Sequence, residues 1–240
     1  MPHLCRTQPD GSTAVYVWFE AMHTRVDILL ISHNLAENEL LDAADGMKLL
    51  ISQLEKTGNR FDPTSEISRL NSLAPGEKTT ISNILYNMLS LCLDFNVRTK
   101  GLFDITATSP AYKPNLISSI HLGPENTFWR DNDCVQLDLS GFIKGYALDC
   151  LRPFLTKRGV TDALVSLGNS SIMAMGNVPG PVKDGCLSTS GNSDASRCHI
   201  LNPLTGQYIT GQHTAQVFTC GGAEGEVEAT VKFIRDSLES

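Results

Sequence analysis

Residues 137–149 read LDLSGFIKGYALD and combine the end of a strand, a turn and the start of a helix. The apolar run stops at the small residues Ser140 and Gly141, and helical spacing of apolar residues begins at Phe142. Lys144 therefore falls in the first helical turn, where unpaired backbone N–H groups favour anions. The stretch predicts either an anion site beside Lys144 or an ordinary strand-to-helix turn with a solvated lysine.

Outward from this stretch, the spacing of apolar residues predicts the remaining elements. Helical spacing covers residues 35–56, 81–98, 142–157 and 226–238, and strand-like runs cover 14–21, 26–32, 135–139, 163–167, 171–175, 198–201 and 215–220. Strands in adjacent groups with helices between them predict an α+β fold with mixed or antiparallel sheets packed with helices. We expect one domain over residues 1–240, a loose segment over 1–13 and irregular structure over 107–132.

Composition narrows the possible functions. The chain has 240 residues, 41% of them hydrophobic, and a net charge of −7. A nucleic-acid binder needs a basic surface, so this charge argues against nucleic acid as a partner. No apolar run is long enough for a membrane span, and seven scattered cysteines without a C-x-x-C pair predict reduced thiols in a cytoplasmic protein.

Two further segments carry residues suited to chemistry. Residues 198–206 read CHILNPLTG, and a neutral His199 held in an apolar strand could take a proton from a hydroxyl nucleophile. The alternative is a core histidine with both nitrogens hydrogen-bonded. Glu226 and Thr230 share one helix face, and their oxygens suit a hard cation such as Mg²⁺. The alternative is an acidic helix N-terminus favoured by the helix dipole.

Two polar turns are joined to apolar anchors. Residues 61–71 read FDPTSEISRLN, with Ser65 as a candidate N-cap, and residues 99–106 read TKGLFDIT. Ordinary capping would explain either of them.

Taken together and in this order, the segments resemble the ApbE family of FAD:protein FMN transferases. The corresponding segments are 22–24, 65–71, 99–106, 138–149, 167–169, 189–191, 199–206 and 225–230. The resemblance covers about residues 15–236 and rests on eight collinear blocks. It implies the ApbE-like fold and a flavin pocket to which both halves of the chain contribute.

The resemblance also implies a reaction and a set of site residues. Members transfer FMN from FAD to a Thr or Ser hydroxyl of an acceptor flavoprotein and release AMP, with Mg²⁺ at the pyrophosphate. His199 matches the general base, and Lys144 would stabilise the phosphate charge. The metal ligands would be Glu226, Thr230 and the Ile143 carbonyl. The residues expected to contact the cofactor are Met22, Glu66, Asp104, Asp138, Lys144, Gly145, Thr189, Ser190 and Gly191.

The sequence departs from the family pattern at several places. His23, Asn169 and Glu226 stand where the family has Gly, Gly and Asp, and Ile143 stands where it has Ala. The segment between Gly176 and Leu187 is also shorter than in the family. Two alternatives therefore stay open beside the transferase: a degenerate, catalytically weak flavin-binding relative, and a Mg²⁺-dependent FAD pyrophosphatase.

Overall fold

A computed structural model describes residues 1–192 and 198–238 of the chain. The contacts divide the chain into two compact units, each assembled from three separate segments. Unit 1 comprises Met1–Glu55, Lys144–Thr189 and Gln216–Glu226, and unit 2 comprises Lys56–Ile143, Ser190–Ala215 and the residues from Val227 onward. The single domain expected over residues 1–240 stays a prediction.

The described residues form both helices and strands. The helices are α1 (Glu37–Gly58), α2 (Glu66–Asn71), α3 (Asn83–Arg98), α4 (Ile143–Thr156) and α5 (Gly222–Asp236). The strands are β1 (His3–Thr7), β2 (Thr13–Ala21), β3 (Thr24–Ser32), β4 (Thr79–Thr80), β5 (Ile120–Gly123), β6 (Thr127–Arg130), β7 (Asp162–Leu167), β8 (Ser171–Met175), β9 (Gly185–Gly191), β10 (Leu201–Asn202), β11 (Gln207–Tyr208) and β12 (Thr214–Thr219). The predicted α+β class is confirmed.

A seven-stranded sheet in the order β1-β2-β3-β7-β8-β9-β12 lies mostly in unit 1. The pairings from β1 through β9 are antiparallel. Buried and partly exposed residues alternate along β2 and β3, so one face of each strand enters the core. All five residues of β1 are exposed, and the segment expected to be loose over 1–13 instead supplies this edge strand.

The connection between β8 and β9 is short and has its own apolar contacts. Val178 and Val182 of this connection pack with Ala174 and Leu187 of the two strands, together with Leu164 and Ile172. The shortened segment identified in the sequence is therefore a compact hairpin connection that covers part of one sheet face in unit 1.

Helices α1, α3 and α4 begin and end within two residues of the predicted ranges. Ser82 caps α3 by accepting the Leu85 N–H, and Ser65 caps α2 by accepting the Ser68 N–H. Helix α5 begins at Gly222, four residues before the predicted start, so Glu226 lies in its second turn instead of at its N-terminus.

Unit 2 contains two small sheets whose strand pairings the sequence does not predict. Strands β5 and β6 lie in the stretch expected to be irregular and form one sheet with β4, and β10 pairs with β11 in the other. Strands this short give too few alternating positions for a recognisable pattern.

The prediction of a strand over residues 135–139 is wrong, because several backbone groups of this segment form hydrogen bonds with side chains instead of with a neighbouring strand. The Asn71 amide donates to the Leu137 carbonyl at 3.0 Å and accepts the Leu137 N–H at 2.7 Å. The Ser109 hydroxyl accepts the Gln136 N–H at 2.9 Å. The segment therefore alternates buried and partly exposed residues without belonging to a sheet.

Candidate functional site

Lys144 occupies the second position of α4, as the sequence predicts, and its ammonium group donates to the Ser170 hydroxyl in unit 1. The next residue, Gly145, has no space for a side chain. A Cβ there would lie 2.1 Å from the Gly222 carbonyl oxygen and 2.6 Å from Glu226 Cγ. Helices α4 and α5 therefore approach closely beside Lys144, and a glycine is required at this point.

Glu226 is a buried carboxylate in unit 1, with 7% of its surface exposed. Its Oε1 accepts the hydroxyl proton of Ser171 at 2.6 Å. Burial raises the pKa of Glu226, and the positive charge of Lys144 and the Ser171 hydroxyl oppose that rise. The structure thus places the two predicted residues Lys144 and Glu226 within electrostatic reach of each other.

Ser171 and Ser188 face each other on β8 and β9, and neither is exposed to solvent. The Ser188 hydroxyl lies near enough to Glu226 to favour the ionised carboxylate. It nevertheless forms no hydrogen bond of ordinary geometry with any part of the chain that the structure describes. The Glu226 cluster, defined here as Lys144, Ser170, Ser171, Ser188 and Glu226, therefore contains one buried polar atom without a partner in the described chain.

Asp149 on α4 caps the start of α5. Its two carboxylate oxygens accept the Gly222 N–H at 2.6 Å and the Ala223 N–H at 2.9 Å. Burial raises the pKa of Asp149, and these two N–H groups offset part of that effect.

Met22 and Thr189 are the other predicted cofactor contacts in unit 1. Met22 and His23 form the turn between β2 and β3 with positive φ angles of 52° and 56°. A side chain at His23 is strained in this conformation, for which Gly is suited. The Thr189 N–H donates to the Ser170 carbonyl at 2.8 Å, which fixes the end of β9 beside the Glu226 cluster.

In unit 2, Asp138 follows the segment held by Asn71. Its Oδ2 lies 3.0 Å from Nε of Arg60 and 3.3 Å from the Thr108 hydroxyl, and its Oδ1 accepts the Ser140 N–H. The carboxylate is therefore fixed immediately before the start of α4.

Asp104 lies in a turn of unit 2 and contacts a residue that sequence reasoning missed. One of its oxygens accepts the Thr106 N–H and hydroxyl at 2.7 and 2.6 Å. The other lies 3.0 Å from the Tyr112 hydroxyl, which also lies 3.0 Å from the Pro203 carbonyl oxygen. Tyr112 lies in the irregular stretch, and no local pattern marks it.

The remaining predicted site residues of unit 2 contact different partners and do not form one cluster. The Glu66 carboxylate accepts both the N–H and the hydroxyl of Ser82, so it holds the residue that caps α3. The hydroxyls of Ser190 and Thr230 are 2.9 Å apart. A Cβ at Gly191 would lie 2.5 Å from the His213 carbonyl oxygen. Ile143 is buried at the first position of α4.

The location predicted for His199 is wrong. The expected strand over 198–201 is reduced to β10, which begins at Leu201, and His199 precedes it as an exposed residue. The better-packed histidine is His213, whose ring stacks on Phe233 with centroids 4.1 Å apart. Because β10 starts two residues after His199, the strand does not bury this side chain.

A cavity of about 990 Å³ opens in unit 2 beside α2. Its lining includes Glu66 and three cations, Lys56, Arg60 and Arg69. Phe61 also lines it and is 65% exposed, with the Arg60 guanidinium 4.6 Å from the ring centroid. The cavity therefore combines positive charge with an accessible aromatic face.

Residues 1–192 and 198–238 contain no cluster of three or more His, Cys, Asp or Glu side chains that could hold a metal. In the same described ranges, no helix is sufficiently long and apolar to cross a membrane. The cytoplasmic location stays a prediction.

Several solved structures share this fold. The flavin transferase ApbE from Vibrio cholerae superposes with a TM-score of 0.78 at 21% identity, over 92% of this chain and 86% of the other. The protein belongs to the ApbE family, whose model matches residues 22–112 and 111–239.

Two curated relatives share about a quarter of their aligned residues with this chain. One, an FAD:protein FMN transferase from Rhodobacter capsulatus, is 23% identical over 92% of this chain, and the chain spans only 51% of that relative's length. The other, an FAD:protein FMN transferase from Chlamydia muridarum, is 24% identical over 74% of this chain and 70% of its own length.

Proposed function

We propose that this protein is an FAD:protein FMN transferase, which moves the FMN half of FAD to a Thr or Ser hydroxyl of an acceptor flavoprotein and releases AMP. The observation that carries the proposal is the buried Glu226 cluster at the start of α4. Phosphoryl transfer depends on positioned positive charge, which Lys144 provides here, and on oxygen ligands for a cation, which Glu226 provides. The names of the curated relatives support the same activity.

In this reaction His199 acts as the general base. The acceptor hydroxyl oxygen forms a bond to the FMN-side phosphorus, and the P–O bond to AMP breaks. His199 takes the hydroxyl proton, and its exposed position lets the hydroxyl of another protein approach its ring. AMP leaves with the electron pair of the broken bond, and Lys144 stabilises the negative charge of the phosphate.

The donor set of the Glu226 cluster fits Mg²⁺. Mg²⁺ is commonly held by one or two carboxylates, with substrate phosphates and waters as further ligands. Glu226 supplies such a carboxylate, which the Ser171 hydroxyl holds at 2.6 Å. When bound, Mg²⁺ neutralises charge at the pyrophosphate. The Ser188 hydroxyl, buried without a partner in the described chain, is consistent with a polar ligand near the cluster.

The cavity beside α2 supports FAD as the substrate. Lys56, Arg60 and Arg69 attract an anionic nucleotide, and the exposed ring of Phe61 suits stacking with a planar ring. The acidic Glu66 on the same lining can accept a hydrogen bond from a nucleotide amine or hydroxyl.

The test combines purified protein, FAD, Mg²⁺ and an acceptor flavoprotein. We expect covalent flavin on the acceptor and one AMP released per flavin transferred. His199→Ala should lower the transfer rate by about 100-fold or more because the general base is lost, while FAD binding is retained. In-gel flavin fluorescence and chromatography of AMP measure these outcomes, and His33→Ala, at an exposed histidine, is the control.

Other outcomes would replace the proposal. AMP release without an acceptor would identify a pyrophosphatase. Bound flavin without AMP release would identify a flavin-binding relative without turnover. Transfer at the normal rate by His199→Ala would remove that residue from the mechanism.

A further inference from the structure

We propose that Ser171 and Ser188 are positioning residues that hold the Glu226 carboxylate ready for a divalent cation. The inference rests on the proposed function, in which Glu226 binds Mg²⁺. The two serines belong to no motif that the sequence analysis identifies, and only the pairing of β8 with β9 brings them together.

The first support is the position of the two hydroxyls. Ser171 and Ser188 are direct cross-strand partners, so their side chains leave the same face of the sheet. Both are fully buried, and Ser171 donates to Glu226 Oε1 at 2.6 Å. A buried hydroxyl without a partner costs about 1–3 kcal/mol, and the Ser188 hydroxyl lies near enough to Glu226 to favour the ionised carboxylate.

The second support is the close packing that brings α5 to these serines. A Cβ at Gly225 would lie 2.7 Å from the Ser188 hydroxyl oxygen, so the residue before Glu226 has no side chain between α5 and β9. Gly145 leaves similar room on the α4 side, where a Cβ would lie 2.6 Å from Glu226 Cγ. Glu226 is thus enclosed by backbone on one side and by hydroxyl donors on the other.

The third support is the chemistry of a carboxylate ligand. An ionised carboxylate only accepts hydrogen bonds, and a hydroxyl that donates to one oxygen leaves lone pairs on the other for a cation. Glutamate has one more rotatable bond than aspartate, so it needs more orientation to present a fixed oxygen. Hydrogen bonds to metal ligands supply such orientation, and their loss typically weakens metal binding 10- to 100-fold.

The test measures cation binding directly, with Mn²⁺ as the probe for Mg²⁺. Full-length protein loaded with FAD is titrated with Mn²⁺, and the free ion is followed by electron paramagnetic resonance. We expect Ser171→Ala to raise the Mn²⁺ Kd about 10-fold or more, and Ser188→Ala to raise it as well. Ser166→Ala on β7, whose hydroxyl bonds to the Asn169 turn, is the matched control and should leave the Kd unchanged.

Two further variants separate positioning from loss of folding. Ser171→Thr keeps the hydroxyl and should retain most of the affinity. In Glu226→Asp the shorter carboxylate no longer reaches Ser171, so adding Ser171→Ala should change the Kd little. Additive effects in this pair, or an unchanged Kd in both alanine variants, would overturn the inference alone. Absence of Mn²⁺ binding in the unaltered protein would overturn the metal part of the proposed function and the inference with it.

Discussion

Tyr112 joins two loops of unit 2 through a single hydroxyl. The group lies 3.0 Å from both Asp104 Oδ2 and the Pro203 carbonyl oxygen. Burial raises the pKa of Tyr112, and the charge of Asp104 raises it further, so the phenol stays protonated over the working pH range. Its one proton therefore serves two acceptors.

Tyr112→Phe should lower the free energy of unfolding by about 1 kcal/mol, because both acceptors lose their donor while the ring is kept. Urea denaturation measures the change. Tyr208→Phe, at a tyrosine that is 55% exposed, is the control and should change stability by less than about 0.5 kcal/mol. Equal effects at the two positions would show that the Tyr112 bonds contribute nothing.

The sequence predicts the position of a residue within a helix better than it predicts contacts between distant residues. Lys144 could be placed in the first turn of α4 because helix periodicity and the Ser140–Gly141 break are local signals. The contact between Ser171 and Glu226, and that between Tyr112 and Pro203, join residues 55 and 91 positions apart. Such contacts depend on strand register and helix approach, which one sequence does not specify.

At the scale of elements, α4 and α5 meet where two glycines remove the side chains between them. Gly145→Ala places a Cβ 2.1 Å from the Gly222 carbonyl oxygen, so the helices must move apart. We expect a loss of about 3 kcal/mol in the free energy of unfolding, at the upper end of the range for overpacking. Gly141→Ala, where a Cβ meets nothing within 4 Å, is the matched control in a urea titration. A small effect at Gly145 would contradict the close helix approach.

The contribution of Asp149, which caps α5, to folding stability depends on pH. Its pKa is raised in the folded protein, so the unfolded chain releases this proton first as pH rises, and folding stability from this group falls over that interval. The stability advantage of the unaltered protein over Asp149→Asn should therefore be larger near pH 3 than near pH 7. Thermal unfolding across this pH range tests it, with Asp42→Asn at an exposed position of α1 as the control. An advantage that grows with pH would reverse the sign of the assigned pKa shift.

The strands differ in how well the local sequence predicts them. Strand β8 was predicted with its observed bounds, because a continuous apolar run lies between turn residues. Strand β9 reads GCLSTSG, which has glycine at both ends and small polar residues in between, so its β-propensity is low. Its place between β8 and β12 in the sheet overrides that propensity.

At the scale of the whole molecule, net charge and local charge have opposite signs. The chain carries a net charge of −7, yet the cavity beside α2 is lined by Lys56, Arg60 and Arg69. FAD affinity should therefore fall as salt rises from about 0.1 M to about 1 M, where the Debye length shrinks from about 10 Å to about 3 Å. Lys56→Gln should weaken binding and flatten this dependence, whereas Lys157→Gln on exposed chain of unit 1 should not. Quenching of flavin fluorescence measures both, and a salt-independent affinity would show that these cations do not attract FAD.

The division of each unit into three separate segments has a consequence for biosynthesis. Unit 1 lacks its final segment until residue 226 has been made, and unit 2 needs residues beyond Val227. Neither unit can therefore complete its core while the ribosome is still translating the earlier segments, although domains with contiguous sequences commonly fold during synthesis. Nascent chains of this protein should therefore expose the apolar faces of β2 and β3 until residue 226 has been made.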